Sequence, residues 1–255
     1  MSTGNADRVR RLLKGIETGD PSAVAVIHPA RYIQHNPQTH EGREGLAALF
    51  KRLATTNPRV NIVRAFEDGD YVFAHTEYDF ATRRIGFEVF RFEDGLAVEH
   101  WDNIQPRQGP NQSGHSMVDG PAAVEDREHT EANRALVRAY TDEVLVQRRL
   151  DRLAEFVCRD HFTQHSPVLS DGIGSLRSAL AETAEDGTPA IAYACIHLVL
   201  AEGSFVLTVC EGSLGGIHTA FYDLYRVDAG CIVEHWDTRE SVPPASEWKN
   251  DNGKF

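Results

Sequence analysis

Val98-Glu99-His100-Trp101-Asp102 returns as Val233-Glu234-His235-Trp236-Asp237, a recurrence at a spacing of 135 residues. A fixed-period repeat sets the number of folding units, and here it sets two. Each copy follows a turn signal, Glu93-Asp94-Gly95 in one and Asp228-Ala229-Gly230 in the other, and then a short apolar run. Both therefore read as the far half of a β-hairpin. Alternate side chains of a strand share a face, so His100 lies beside Asp102 on one side and Glu99 beside Trp101 on the other.

At 255 residues the chain could form one large or two small domains, and the repeat decides for two. A hydrophobic content of 41% with 25% charged residues is enough for two packed cores. Acidic residues outnumber basic ones 38 to 26, and the formal charge of −12 disfavours nucleic acid and anionic membranes as partners. The pairs Arg10-Arg11, Arg83-Arg84 and Arg148-Arg149 read as solvated faces. Cys158, Cys195, Cys210 and Cys231 all fall in the second half, without C-x-x-C spacing. A disulfide framework would appear in both copies, so reduced thiols in a cytoplasmic protein are expected. The opening Met1-Ser2-Thr3-Gly4-Asn5-Ala6-Asp7 lacks the apolar core of a signal peptide, and no run is long enough to span a bilayer.

Each copy reads as helices followed by an antiparallel meander. Val9, Leu12, Leu13 and Ile16 give a helix over 7–18, stopped by Gly19-Asp20-Pro21, with a short second helix over 22–27. Tyr32-Ile33-Gln34-His35-Asn36-Pro37 is a loop or strand entry, since proline biases Asn36 toward extended backbone. A further helix starts near Arg43, and Pro58 ends it. Strand-type runs then cover 60–66, 71–78, 85–92 and 96–104. Residues 124–152 read as one long helix in the second copy, and 153–157 as a short one. Phe162-Thr163-Gln164-His165-Ser166-Pro167 repeats the 32–37 stretch. The expected organisation is a first domain over 1–106, a linker over 107–123, a second domain over 124–242, and a loosely held polar tail over 243–255.

Three pieces together, Tyr-Ile-Gln-His-Asn-Pro, then Asp68-Gly69-Asp70 with His75 shortly after, then Phe-Arg-x-x-x-Gly-x-x-Val-Glu-His-Trp-Asp, resemble the SnoaL-like polyketide cyclase family of the nuclear transport factor 2-like superfamily. The resemblance covers nearly all of both copies. It implies an α+β fold of two tandem cone-shaped barrels, each a curved antiparallel sheet wrapped by helices, packed as an intramolecular pseudo-dimer, with further self-association left open. Carried over from the family, the residue matching Asp102 acts as acid/base and the one matching Glu88 sits opposite. The implied first-copy site is His35, His75, Glu88, His100 and Asp102. Its second-copy counterpart is His165, Val209, Asp223, His235 and Asp237, so the second pocket lacks the imidazole of His75. The two pockets are expected to be unequal, with the first competent.

The chemistry follows from the residue types. Removing a proton beside a carbonyl needs a base, and the enolate or alkoxide formed needs a donor. Asp102 suits the first task, because desolvation strengthens a carboxylate as a base. His75 and His100 suit the second, and Tyr32, Phe73, Phe87 and Phe90 would wall a pocket for a small apolar ligand. An aldol cyclase, dehydratase or isomerase, and so a lyase or isomerase without cofactor, is the leading reading. A ligand-binding module without catalysis and an epoxide-opening enzyme are the alternatives. Neither H-x-H nor H-E-x-x-H occurs, so no metal is expected. His35 and His165 could instead brace the helix-to-sheet junction, and His100 with Asp102 could be a structural pair. Trp101 and Trp236 are expected on the face opposite the pocket, where the two sheets meet.

Overall fold

A computed structural model describes residues 4–255, leaving residues 1–3 of the stretch read for a leader outside the described residues. The chain divides into two compact units: residues up to Arg107 together with Pro243–Phe255, and Gln108–Val242. The first unit runs α1 (Asn5–Thr18), a 3-10 helix (Pro21–Val26), β1 (Ile33–Gln34), α2 (Gly42–Ala54), β2 (Arg59–Asp68), β3 (Tyr71–Asp79), β4 (Arg83–Glu93) and β5 (Leu96–Pro106). Its sheet has the order β1-β5-β4-β3-β2, with β1 parallel to β5 and the rest antiparallel.

α1 ends as the sequence predicts. Gly19 takes a left-handed conformation and its N–H donates to the Gly15 carbonyl, while the Asp20 carboxylate caps the 3-10 helix through the Ser22 N–H. Val9, Leu12, Leu13 and Ile16 form one buried cluster with Leu46 and Phe50 of α2 and with Val72, Ala74, Phe90 and Phe92 of the sheet. Burying each such side chain is worth about 1.5–3 kcal/mol, which makes this helix-to-sheet layer the main support of the unit.

The second unit repeats the plan with α3 (Thr130–Tyr140), α4 (Leu153–Phe156), β6 (Thr163–Gln164), α5 (Ile173–Ala181), β7 (Ile191–Glu202), β8 (Phe205–Leu214), β9 (Ile217–Asp228) and β10 (Cys231–Ser241), in the sheet order β6-β10-β9-β8-β7. The single long helix expected over 124–152 is not formed. α3 begins at Thr130 and passes into a π-helical turn, Thr141–Val146. At that junction Thr141 Oγ1 donates to the Val137 carbonyl at 2.8 Å, a back-bond that competes with the regular helical ladder.

The polar segments also depart from expectation. Residues 108–122 belong to the second unit and 243–255 to the first, so each unit is completed by the segment that follows the other unit's last strand. The tail is firmly held: Asn250 and Lys254 are buried, and Asn250 Nδ2 donates to the carbonyls of Asn36 and Thr39 at 2.8 and 3.0 Å. Among the described residues, no helix is long and apolar enough to cross a membrane.

Candidate active site

The register of the first sheet sorts the expected site residues onto two faces. Glu88 pairs directly with Asp102, and Phe90 with His100, so these four share one face. Ala74 opposes Glu88 on the other side, and Val72 opposes Phe90; both belong to the helix-covered cluster, which makes this the inner face. His75 opposes Phe87, and Val89 opposes Trp101, which places that set on the reverse face.

His100 sits at the centre of the inner face, under Phe90 with ring centroids 4.3 Å apart and near Tyr32 at 6.4 Å. Its Nδ1 lies 3.0 Å from Gln34 Oε1. That oxygen also accepts the Asn36 backbone N–H at 2.9 Å, which fixes it as an acceptor. Nδ1 of His100 therefore carries hydrogen. Nε2 meets Glu88 Oε2 at 2.8 Å, and Tyr78 donates its hydroxyl to Glu88 Oε1 at 2.7 Å. One proton thus serves the Glu88–His100 contact, held either on nitrogen or on oxygen. Burial, and then the charge of Glu88, push the Tyr78 phenol well above its usual range, so it stays a donor.

Asp102 completes the constellation. Its Oδ2 accepts from Asn36 Nδ2 at 2.6 Å. Its Oδ1 is buried without a hydrogen-bond partner among the described residues, and so is the hydroxyl of Tyr32. Burial, followed by the charges of Glu88 and Asp102, raises the Tyr32 phenol well above its ordinary value and keeps its proton in place. An acceptor and a donor on this buried face are therefore both left without a hydrogen bond from the described residues, with the Lys254 ammonium 3.6 Å from Oδ1. Groups of this kind are open to a ligand or to water.

The structure removes four residues from this group. His75 lies on the reverse face, packed edge-on to Phe87 at 4.7 Å with Nδ1 3.3 Å from Arg64. Phe73 and Phe87 pack against each other there at 5.2 Å and wall no inner pocket. His35 stacks on Trp101 at 4.7 Å; Nδ1 donates to the Gly253 carbonyl at 3.0 Å, and Nε2 meets Glu99 at 3.0 Å. It braces the tail against β5 instead of meeting Asp102.

The second unit keeps the framework with different partners. His235 bridges Gln164 Oε1 and Asp223 Oδ1, each at 2.9 Å, and Tyr193 donates to Asp223 Oδ2 at 3.0 Å. Asp237 is engaged by Arg239 Nε at 2.7 Å. The cavity that remains, lined by Tyr140, Tyr193, Asp223, Tyr225, His235 and Arg239 among others, has a volume of about 20 Å³. That is room for about one water molecule. His165 mirrors His35: it stacks on Trp236 at 4.5 Å and meets Glu234 at 2.8 Å, outside the inner face.

Gln34, Asn36, Tyr78 and Lys254 in the first unit, and Gln164, Tyr193 and Arg239 in the second, are site residues that the sequence reading missed. For Gln34 and Gln164 the signal was present in the two repeated loop motifs; for Lys254 there was none. Among the described residues, three groups of donors have ligand atoms within 4.8 Å of one another: Glu88/His100/Asp102, His115/Asp119/His165 and the exposed Asp126/Glu128/His129. In the first, His100 Nε2 is bonded to Glu88 and a lysine ammonium stands 3.6 Å from Asp102, a pattern of proton sharing more than of cation binding.

The chain is a tandem of two α+β units, each a five-stranded sheet of the same strand order carrying helices. Residues 9–100 match the family model of the SnoaL-like domain. Comparison with curated proteins returned no match. Among solved structures, TsrD from Streptomyces laurentii is 24% identical over 39% of this chain and 86% of its own, with a TM-score of 0.35. IdmH, a proposed polyketide cyclase from Streptomyces antibioticus, is 16% identical over 40% of this chain and 93% of its own, with a TM-score of 0.36. An LEH-like epoxide hydrolase of M. tuberculosis is 19% identical over 40% of this chain and 82% of its own, with a TM-score of 0.35.

Proposed function

We propose that the first copy is an acid/base enzyme that moves a proton next to a carbonyl in a small, largely apolar compound, as in aldol cyclisation, dehydration or isomerisation. The observation that carries this reading is the pairing of an unused carboxylate oxygen, Asp102 Oδ1, with an unused phenol, Tyr32, on one buried face. Oδ1 would take the α-proton while Asn36 holds Oδ2. Tyr32, or the proton shared by Glu88 and His100, would supply hydrogen to the developing enolate oxygen. In the second copy Arg239 already engages Oδ2 of Asp237, where the first copy has Ile104 at the equivalent position.

Deuterium uptake at the α-carbon of mono- and bicyclic ketones in D2O, followed by NMR, tests this. The wild-type chain is expected to accelerate exchange, D102N to lower the rate about 10²- to 10⁴-fold, and D237N to leave it unchanged. Wild-type exchange by D102N, or no acceleration of any ketone by the wild type, overturns the proposal. A second reading is favoured by one distance: ligand atoms of Glu88 and Asp102 lie within 4.8 Å, close enough for two carboxylates to share a water. Epoxide opening needs that arrangement, and diol formation from apolar epoxides in place of ketone exchange would select it.

A further inference from the structure

We propose that Lys254, delivered by the tail, is a positioning residue for Asp102. The inference rests on the role proposed for Asp102 and adds the group that holds it. The Lys254 side chain is 2% exposed, and its ammonium stands 3.6 Å from Asp102 Oδ1. The same nitrogen donates to the Asp102 backbone carbonyl at 2.7 Å. A lysine is almost never buried to this degree without a partner. Here one residue supplies both: a carbonyl that fixes the ammonium, and a carboxylate that the ammonium attracts.

The local fold explains why the tail reaches this spot. β1 is two residues long and pairs with β5 only as far as His100, so the Asp102 carbonyl lies on the strand edge past the end of β1. The tail takes over there. Asn252 Nδ2 donates to the Gln34 carbonyl at 3.1 Å, the Gly253 carbonyl accepts from His35, and Asn250 holds Asn36. These are the residues whose side chains orient His100 and Asp102, so the tail locks the orienting loop and the base together.

The second copy shows that the charge is what the site retains. Its linker runs the same way: the Ser116 carbonyl accepts from His165 at 2.9 Å, as the Gly253 carbonyl does from His35. The residue after Ser116 is Met117, where the tail has Lys254. The cation beside Asp237 comes instead from Arg239, at the register position that Ile104 holds in β5. One copy thus places its cation at the rim and keeps the inner-face position apolar. The other places it inside.

The test compares K254M and K254R. Each full-length chain is assayed for ketone exchange and for thermal unfolding. K254M is expected to lower kcat about 10- to 100-fold, the worth of a hydrogen bond to a charged group, with KM within about twofold. K254R should stay within about fivefold of wild type. Wild-type kcat in K254M, with D102N inactive, overturns the lysine's role and leaves that of Asp102. An active D102N overturns both. Equal loss in K254M and K254R, with equally lowered melting temperatures, shows a structural contact only and overturns the proposal. If K254M does not fold, K254R decides: activity within fivefold supports the role, and a loss as large as that of D102N overturns it.

Discussion

His100 uses both ring nitrogens on groups that are themselves held in place, and the last link of that chain is Tyr78. The ring of Tyr78 reaches Glu88 because position 86 is glycine: a Cβ there would stand 2.7 Å from the Tyr78 ring and 3.0 Å from Glu88 Oε1. Y78F keeps the ring and removes the donor, leaving a buried carboxylate oxygen unsatisfied. Urea unfolding should show a loss of about 1–3 kcal/mol. An unchanged midpoint would mean that Glu88 finds another partner. At this scale the sequence was readable where one strand sufficed. Alternation along β5 placed His100 with Asp102 and set Trp101 opposite them. His75 was misplaced because its face depends on the register between β3 and β4, which pairs Ala74, not His75, with Glu88. Nothing in a single strand carries that offset.

The strands show how two copies reach one constellation with different residues. Tyr78 on β3 faces Val60 on β2; in the second sheet the equivalent pair is Gly212 on β8 and Tyr193 on β7. The phenol moves to the neighbouring strand, and the volumes exchange with it, since Gly86 gives way to Phe221, which stacks on Tyr193 at 4.5 Å. Repeat alignment alone lost this tyrosine, because it compares positions and not the space they share. On the reverse face of β10, Glu234 is held by His165 at 2.8 Å and Arg226 at 2.6 Å. Burial acts to raise its pKa, but His165 and Arg226 outweigh it and leave the carboxyl below its usual 4.5. A carboxyl with a depressed folded pKa adds stability that is present above the unfolded value and is lost as pH falls through the folded one. E234Q should therefore flatten the decline of stability below about pH 4.5, seen as a smaller drop in melting temperature between pH 5 and pH 3 than in wild type. Parallel curves for the two proteins would refute this.

Across the whole molecule, the two polar segments do what their composition concealed. A stretch rich in Gly, Asn, Ser and Pro reads as linker or loose tail because it has little apolar surface to bury. These segments are held instead by amide side chains on backbone carbonyls: Asn111 on Gln164 at 2.6 Å in the second unit, Asn252 on Gln34 at 3.1 Å in the first. Such bonds leave no periodic signature, and those of the tail join residues more than 200 positions apart, Asn252 to Gln34 among them. The meander and the helices were legible because they bury apolar faces at regular spacing; the closing segments were not. The arrangement makes a reciprocal prediction for hydrogen exchange. The His35 amide is bonded to the His100 carbonyl and the His165 amide to the His235 carbonyl, each at 2.9 Å, so they report on the two units separately. Deleting 243–255 should speed exchange at His35 by about tenfold or more, the effect of losing about 1.4 kcal/mol, while His165 stays protected. N111A should do the reverse, loosening 164–166 and sparing 34–36. Equal loosening of both sites in either variant would show that the closing segments do not act unit by unit.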